Sequence, residues 1–287
     1  MLSYRHSYHA GNHADVLKHT VLIHCLDYLN SKDKPYAVVD THAGAGIYSL
    51  EAEHAERTGE YKNGVGRLWN RKDVPSALAP YLAAIRELNL GEKLRRYPGS
   101  PWLISHLARD NDRLRFCEMH STDAALLRRE FKGKAPRVLV EQHDGFETLK
   151  AALPPHSRRG LVLIDPSYEM QNDYTRVVAA VKDALKRFAT GTILVWHPCI
   201  AALDATTLPD RLKKAGANNW LHAQLKVAAP APQGRGMHGS GMFIINPPWT
   251  LEAKLREVLP YLTKILAMDE RATWSLDKFE LGAAAIS

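Results

Sequence analysis

A carboxylate, a proline carbonyl and an aromatic ring follow one another directly after an unbroken apolar run. Residues 161–164 form this run, which is typical of a strand buried on both faces of a sheet. Asp165, Pro166, Ser167 and Tyr168 come next, and the proline forces a turn because it cannot donate to a strand ladder. Open α/β sheets bind ligands at this edge, so we expect the three groups to meet a ligand there. The alternative is an Asp-Pro turn with no function of its own.

Acidic residues also end three other apolar runs. Asp40, Glu118 and Asp144 each stand at the carboxyl end of a short run that predicts a strand. Because the carboxyl ends of parallel strands meet at one edge, these residues and Asp165 would crowd together and repel one another. The arrangement is easiest to understand if a ligand with hydrogen-bond donors and positive charge binds there.

Glycines form a tight turn immediately after Asp40. Residues 41–46 read Thr-His-Ala-Gly-Ala-Gly, so Gly44 and Gly46 would let the backbone approach an amino-acid-like or nucleoside ligand. The third glycine of the dinucleotide fingerprint is missing, and no Lys-Ser or Lys-Thr pair of a phosphate-binding loop follows. The pattern therefore indicates a strand–loop site of the nucleotide-binding type.

Alternating strands and helices are needed to position these groups. With helices between them, the strands predict an α/β fold with a doubly wound, mostly parallel seven-stranded sheet of Rossmann-like type. In such a sheet we expect the fourth strand beside the first and the seventh far out beside the sixth. From Pro260 onward the pattern predicts a helix and then a weakly patterned tail. The seven apolar runs that predict strands are residues 36–40, 114–118, 137–144, 161–164, 192–196, 220–227 and 241–245.

The segment of residues 51–98 is charged and helical in pattern, without a clear strand. We predict a helical insertion after the first strand. The chain then divides into a main domain of residues 1–50 and 99–287 and an inserted helical subdomain of residues 51–98. The alternative is a solvated helical hairpin. Ser100 and Pro101 open the next helix, since proline is favoured at the first helical position.

A second strand end carries a similar motif. Asn246, two prolines and Trp249 also follow an apolar strand. Chain order separates the two motifs, because the fourth strand is expected next to the first strand and its glycine turn. We therefore assign the chemistry to Asp165 and interpret Asn246 as a strand terminus.

Residues 4–13 are polar, aromatic and basic. Several histidines suggest a metal, but only His9 and His13 are four residues apart and no carboxylate or thiolate pattern completes a site. We therefore predict no metal. The segment is either a solvated surface or a cover over a ligand. In the second case, the residues offered to nucleic acid are Tyr4, Arg5 and His6.

The charge balance indicates a polyanionic partner. The formal net charge is +7 and the sequence pI is about 9.2. Each basic cluster taken alone is more typical of a solvated face, but together they predict salt-sensitive binding. These clusters are residues 93–96, 128–134, 158–159 and 213–214.

Three scattered cysteines argue against a disulfide framework and fit a reducing cytosol. The amino terminus lacks the apolar core of a signal peptide, and no run is long enough to span a bilayer. We predict a cytoplasmic protein with no membrane partner. The oligomeric state is open, with a monomer as the working expectation.

Several long motifs resemble one family. Together they are similar to the class I S-adenosylmethionine-dependent methyltransferases. They are more closely similar to the bacterial 23S ribosomal RNA adenine-N6 methyltransferases of the large subunit methyltransferase J family. The resemblance covers nearly the whole chain to about Trp249. The motifs are residues 3–19, 40–46, 53–61, 97–101 and 158–160 leading into Asp165.

The resemblance implies S-adenosylmethionine as cofactor and a site that holds it. Glu118 would accept hydrogen bonds from the two ribose hydroxyls, as acids do in dinucleotide folds. Asp144 and Gly145 would face the adenine of the cofactor, and the glycine turn would run beside its methionine part. The implied cofactor residues are Lys18, His19, His42, Gly44, Gly46, Ser100, Glu118, Asp144, Gly145 and Asp165.

The reaction implied by the resemblance is methyl transfer to the N6 amine of an adenine in 23S rRNA. Asp165 and Pro166, as catalytic residues, would accept the two N–H bonds of an amine whose lone pair is delocalised into the ring. The catalytic Tyr168 would stack on an adenine turned out of its helix, and Tyr4 is a second candidate. The family usually has Asp-Pro-Pro-Tyr. Here Ser167 replaces the second proline, which leaves the turn less stiff and adds an N–H that needs a partner.

Other functions stay open at this point. A DNA adenine-N6 methyltransferase would use the same motif, and a non-catalytic protein that binds S-adenosylmethionine and RNA is compatible with Ser167. A nicotinamide dehydrogenase is disfavoured by the missing third glycine. A protein glutamine methyltransferase would prefer Asn-Pro-Pro-Tyr at the organising strand. The rRNA partner could be free 23S rRNA or an assembly intermediate.

Overall fold

The sheet and its flanking helices are described for residues 6–231 and 236–281 of a computed structural model, with only the backbone at position 54. The strands are β1 (Ala37–Asp40), β2 (Ile47–Ser49), β3 (Arg96–Pro98), β4 (Arg113–Cys117), β5 (Val138–Glu141), β6 (Gly160–Ile164), β7 (Thr192–Cys199), β8 (Asn219–Lys226), β9 (Gly239–Ile245) and β10 (Thr273–Glu280).

Helices connect most of these strands, and four of them follow one another between β2 and β3. The helices are α1 (His13–Asn30), α2 (Glu53–Thr58), α3 (Glu60–Asn63), α4 (Gly66–Trp69), α5 (Ala79–Leu88), α6 (Ser100–Leu107), α7 (Ser121–Glu130), α8 (Gly145–Ala152), α9 (Asp173–Arg187), α10 (Leu203–Lys213) and α11 (Leu251–Leu266).

Eight of the strands form the main sheet, in the order β10-β8-β9-β7-β6-β1-β4-β5. The five strands from β7 to β5 pair in parallel, whereas β9 runs antiparallel to both of its neighbours. The predicted α/β, mostly parallel fold is confirmed. The fourth predicted strand, β6, does pair with the first, β1. The apolar run of residues 161–164 is buried throughout, as a central parallel strand requires.

Three details of the prediction were wrong. The main sheet has eight strands, not seven, because residues 273–280 pair with β8 instead of forming an unpatterned tail. Residues 96–98 form β3, which pairs with β2, although no strand was expected within residues 51–98. The seventh predicted strand, β9, lies between the fifth and the sixth. An edge strand that is half exposed and a three-residue strand carry little apolar periodicity, which explains why both were missed.

Helix α1 is almost entirely buried and carries two of the predicted site residues. The side chain of Asn12 caps its start by accepting hydrogen bonds from the backbone N–H groups of Ala14 and Asp15. The helix packs on β9, α6, α11 and α5. Its first turns reach the carboxyl edge of the sheet and bring Lys18 and His19 there.

The predicted insertion contributes to the same hydrophobic core as the sheet. Leu68, Leu78 and Tyr81 belong to one cluster with Leu17 and Leu22 of α1. The helices of the predicted insertion therefore pack against α1 and help to hold it in place. The division into a main domain and an inserted subdomain stays a prediction.

Candidate functional site

A cavity of about 580 Å³ lies at the carboxyl edge of the sheet, beside the ends of β1, β4 and β6. Its walls come from α1, the loop after β1, the start of α6 and the turn after β6. The structure brings ten of the predicted residues together in this lining: His6, Lys18, His19, His42, Gly44, Ser100, Glu118, Asp165, Pro166 and Tyr168.

Two predicted glycines serve the backbone and do not line the cavity. Gly46 has φ +87°, and its carbonyl accepts a 2.8 Å hydrogen bond from the N–H of Gly99. Gly145 packs so closely on the loop after β1 that a Cβ would lie 2.0 Å from the carbonyl oxygen of Thr41. Both positions therefore hold together the loops that form the cavity wall.

A buried ionic cluster joins α1 to the end of β6. Lys18 Nζ lies 2.6 Å from Asp165 Oδ2 and 2.8 Å from Asp15 Oδ1. Asp15 Oδ2 in turn lies 2.9 Å from His6 Nε2 and accepts a hydrogen bond from the backbone N–H of Gly11. Among the residues that the structure describes, none donates a hydrogen bond to Asp165 Oδ1. One oxygen of Asp165 is thus held by a cation while the other is available to a ligand.

Burial and charge act in opposite directions on these acids. Burial raises the pKa of Asp165, and the neighbouring Lys18 ammonium offsets only part of that rise. Burial would also raise the pKa of Asp15, but His6 and Lys18 lower it well below its ordinary value. The two carboxylates raise the pKa of Lys18 despite its burial. Lys18 therefore stays charged between the two acids.

Tyr168 forms a wall of the cavity beside Asp165. Its backbone has φ +55°, and its hydroxyl donates a 2.7 Å hydrogen bond to the carbonyl of Trp196. Its ring lies 4.6 Å from the ring of Tyr174, and only 9% of the residue is exposed. The hydroxyl is therefore committed within the protein, and a ligand can meet only the ring.

Glu118 fixes the loop after β1. Its two oxygens accept hydrogen bonds from the N–H groups of Gly44 and His120, at 2.8 and 2.7 Å. Gly44 has φ +64°, and a Cβ there would lie 2.1 Å from the hydroxyl of Tyr48, so only glycine fits. Burial raises the pKa of Glu118. The carboxylate is thereby oriented at the end of β4, where a ligand with hydroxyls could bond to it.

The protein itself supplies donors to the other acids at the strand ends. Asp40 is fully buried behind the cavity and accepts a 2.6 Å hydrogen bond from the hydroxyl of Ser100. Asp144, which is also outside the cavity lining, caps α8 and pairs with Arg176. Arg176 itself lines the cavity. The expected crowding of acids is thus relieved largely by this chain's own groups.

Burial keeps two of the three predicted histidines in the cavity lining, His19 and His42, neutral. Burial lowers the pKa of His19 to about 3 and that of His42 to about 4. His42 Nδ1 lies 2.8 Å from the hydroxyl of Thr41, and its ring packs edge-on against Phe146. A neutral imidazole can donate from one nitrogen and accept at the other, so each histidine can contact a ligand without adding charge.

The amino-terminal segment is held over the cavity by the predicted insertion. Glu60 of α3 accepts hydrogen bonds from the side chains of His9 and Asn12, at 2.8 and 2.9 Å. Tyr4 and Arg5, which we predicted from the sequence to contact nucleic acid, lie outside the described residues.

Asn246 lies at the opposite edge of the sheet from Asp165, because β9 is antiparallel to β7. Its amide donates 2.8 Å hydrogen bonds to the carbonyls of Ala189 and Gly191. This arrangement closes a turn and agrees with its interpretation as a strand terminus.

Residues 6–231 and 236–281 contain no group of three or more histidine, cysteine or acidic side chains that could hold a metal. Within the same ranges no helix is long and apolar enough to cross a membrane.

Several residues of the site were not identified from the sequence. Asp15 and Arg176 are the partners of Lys18 and Asp144, and Trp196 holds Tyr168. Asp15 stands three residues before Lys18, a spacing that pairs charges on a helix and could have identified it. Nothing in the sequence around Arg176 or Trp196 indicates which loop each one contacts.

Comparison with known proteins gives consistent matches over nearly the whole chain. A family model described as "Ribosomal RNA large subunit methyltransferase D, RlmJ" matches residues 33–278. A protein of Escherichia coli K12 named "Ribosomal RNA large subunit methyltransferase J" is 50% identical, over 91% of this chain and 93% of its own. A Haemophilus influenzae protein of the same name is 46% identical, over 96% and 98%. The crystal structure of protein LPL1258 from Legionella pneumophila superposes with a TM-score of 0.86 at 35% identity, covering 94% of this chain and 98% of that one.

Proposed function

Because the chain belongs to the ribosomal RNA large subunit methyltransferase J family, we propose that it transfers a methyl group to the N6 amine of an adenine in 23S rRNA. Membership confirms the resemblance found in the sequence. The protein is a methyltransferase, and its methyl donor is S-adenosylmethionine. What we propose is the substrate: which RNA, which base and which nitrogen receives the methyl group.

The cavity residues fit S-adenosylmethionine. Glu118 at the end of β4 is oriented to accept hydrogen bonds from ribose hydroxyls. Lys18 and His19 offer a cation and a neutral imidazole near the start of α1, where the amino-acid part of the cofactor would bind. His19 Nε2 is buried and has no partner among the described residues, which supports a ligand at that point. When bound, S-adenosylmethionine supplies a methyl group activated by a positively charged sulfur.

The charge of the cluster also suits a positively charged donor. Asp15, Lys18 and Asp165 carry two negative charges and one positive charge when all are ionised, which leaves a net charge of −1. A single unbalanced carboxylate in a buried cavity is costly. A cationic ligand would neutralise it, and Asp165 is the more exposed of the two acids, at 13% of its side chain against 1% for Asp15.

The observation that carries the proposed reaction is the position of Asp165 and Pro166 in the cavity wall. The exocyclic amine of adenine is a weak nucleophile because its lone pair is delocalised into the ring. Asp165 Oδ1 and the carbonyl of Pro166 can accept hydrogen bonds from its two N–H groups, which localises the lone pair and stabilises the developing positive charge. As the nitrogen gains the methyl group, one of its N–H protons is released to Asp165 Oδ1, which leaves the neutral methylated amine. Lys18 holds the other oxygen of Asp165 and so fixes the orientation of the carboxylate.

The substrate would enter past Tyr168 and the amino-terminal segment. The ring of Tyr168 is presented for stacking on an adenine turned out of its helix. His6 lies in the same wall, and we propose that Tyr4 and Arg5, which precede it, also contact RNA. The net charge of +7 supports a polyanionic substrate, either free 23S rRNA or an assembly intermediate in the cytoplasm.

Methyl transfer from labelled S-adenosylmethionine to unmodified 23S rRNA tests the proposal. In Asp165→Asn the carboxylate oxygen that accepts the N–H can be replaced by an NH₂ group, so we expect the rate to fall by about 10²- to 10³-fold. Asn246→Ala is the matched control and should keep the wild-type rate.

The methylated atom is identified from the product, and the preferred nucleic acid is identified by comparing rRNA with duplex DNA as substrates. N6-methyladenosine in digested rRNA supports the proposal, and a methyl group on any other atom contradicts it. Faster methylation of duplex DNA than of rRNA would assign the activity to DNA instead.

A further inference from the structure

A buried chain of hydrogen bonds links the predicted insertion to the cofactor side of the cavity. His19 Nδ1 lies 2.8 Å from the hydroxyl of Tyr97, and that hydroxyl lies 3.1 Å from the hydroxyl of Tyr81. Tyr81 is on α5 and Tyr97 on β3, both in the segment of residues 51–98, whereas His19 is on α1. All three residues are almost completely buried. The imidazole of His19 lines the cavity, and its Nε2 has no partner among the described residues.

The hydrogens of this chain can be arranged in two ways. In the first, Tyr81 donates to Tyr97, Tyr97 donates to His19 Nδ1, and the ring carries its proton on Nε2. In the second, Nδ1–H donates to Tyr97, so the two hydroxyls share only their one mutual hydrogen bond and one of their hydrogens has no acceptor among the described residues. A buried donor without an acceptor is costly, so the first arrangement is favoured. It leaves a single group without a partner, the Nε2–H at the cavity.

We propose that Tyr97, supported by Tyr81, is a positioning residue that fixes His19 as the Nε2–H tautomer and so presents a donor to the carboxylate of S-adenosylmethionine. This inference rests on the proposed function. The carboxylate is the one anionic group of that cofactor, and it is the strongest hydrogen-bond acceptor that the unpartnered Nε2–H of His19 could bind. The inserted segment thereby contributes to cofactor binding without touching the cofactor.

Calorimetric titration with two ligands tests the inference without any RNA. S-adenosylhomocysteine keeps the amino-acid part, whereas 5′-methylthioadenosine lacks it. Tyr97→Phe removes the hydroxyl that fixes the tautomer, so we expect its affinity for S-adenosylhomocysteine to fall about tenfold. Its affinity for 5′-methylthioadenosine should change by less than about twofold. Tyr81→Phe should shift the first affinity in the same direction by a smaller factor.

The matched control is Tyr36→Phe, which also deletes a largely buried hydroxyl but one bonded to Asn30, remote from the cavity. It should bind both ligands as the wild type does. Equal losses of the two ligands in Tyr97→Phe, or no loss of either, would overturn the inference, since the hydroxyl would then only shape the pocket or do nothing.

Nitrogen-15 NMR of labelled histidine in the ligand-free protein gives a second readout. We expect His19 as the Nε2–H tautomer in the wild type and as a mixture in Tyr97→Phe. A wild-type Nδ1–H tautomer would overturn the inference. If neither ligand binds the wild type, the cofactor assignment and the carboxylate contact both fail, while the NMR measurement still decides whether Tyr97 fixes the tautomer.

Discussion

Two strands of the sheet end in nearly the same short motif. β6 leads into Asp165, Pro166, Ser167 and Tyr168, and β9 leads into Asn246, two prolines and Trp249. Both motifs contain a non-glycine residue with positive φ, Tyr168 at +55° and Asn246 at +49°. The first lines a cavity and is paired with a cation. The second uses its amide to bond two backbone carbonyls and leaves the aromatic ring of Trp249 82% exposed.

Strand direction accounts for the difference. β6 runs parallel to β1 and ends at the edge where the glycine turn and α1 converge. β9 runs antiparallel to β7 and ends at the other edge. A polar residue followed by proline therefore becomes part of a site only where the topology brings donors and a cavity to it.

Position at the correct edge is also not sufficient. Asp40 ends the strand next to Asp165, yet it is fully buried behind the cavity and bonds to Ser100 instead of a cation. Of the four acids at the strand ends, only Asp165 both pairs with Lys18 and lines the cavity. The comparison can be tested by changing the cation, the neighbouring acid and the two motifs in turn.

Lys18→Met should have the largest effect on stability. Methionine keeps the apolar length of the side chain but leaves Asp15 and Asp165 as two buried carboxylates without their common cation. We expect the free energy of unfolding at pH 7, measured by urea denaturation, to fall by about 3 to 5 kcal/mol. Adding Asp15→Asn should recover part of that loss, because one stranded charge is removed. A single variant as stable as the wild type would show that the cluster is not a charge pair in solution.

Asp40→Asn should change the dependence of stability on pH. Burial raises the pKa of Asp40 to about 7 from its ordinary value of 3.8. Between these two pH values the carboxyl of Asp40 keeps its proton in the folded chain and loses it in the unfolded chain. The contribution of this group to stability is therefore present below about pH 4 and is lost as the pH rises towards 7.

We expect this loss to amount to roughly 2 to 4 kcal/mol in the wild type and to be absent in Asp40→Asn. The measurement is the difference in unfolding free energy between the two proteins at several pH values, in which other titrating groups cancel. Parallel curves for the two proteins would show that the carboxyl of Asp40 is not protonated in the fold.

Much of the fold could be predicted from local patterns. Continuous apolar runs such as residues 161–164 and the glycine turn at Gly44 and Gly46 reflect burial and backbone geometry that act over a few residues. The position of β9 and the pairing of residues 273–280 depend on contacts between distant segments. Residues 273–280 form a strand with few apolar residues and a largely exposed surface, so its sequence pattern is too weak to predict the pairing.

The site was predictable where a motif contains the chemistry. Asp165, Pro166 and Tyr168 were identified because they are adjacent in the chain. Tyr81 and Tyr97 are sixteen residues apart and meet His19 only through the packing of α1 on the inserted segment. Arg176 of α9 likewise forms an ion pair with Asp144, which caps the start of α8. Such partners are fixed by tertiary packing, which a single sequence does not reveal.

Asn246→Ala should reduce stability and leave catalysis unchanged. The variant loses two 2.8 Å hydrogen bonds to turn carbonyls, one exposed and one partly buried, and places alanine at a positive φ that favours asparagine. We expect the free energy of unfolding to fall by about 1 to 2 kcal/mol, measured by urea denaturation. The methylation rate per folded molecule should equal that of the wild type. A large fall in that rate would move the reaction to the other edge of the sheet and reverse the comparison.

Ser167→Pro gives the β6 motif the two prolines that the β9 motif already has, and it should have the smallest effect. No described residue accepts a hydrogen bond from the backbone N–H of Ser167, so proline removes no bond within the protein. A second proline also restricts the unfolded chain, and we expect a gain of about 0.4 to 1 kcal/mol in the free energy of unfolding. The methylation rate should change by less than about twofold, because the acceptors belong to Asp165 and Pro166. A loss of stability would mean that the backbone at position 167 is incompatible with proline. A loss of rate without a loss of stability would mean that the N–H of Ser167 contacts the substrate, a role that the proline at the equivalent position 248 could not have.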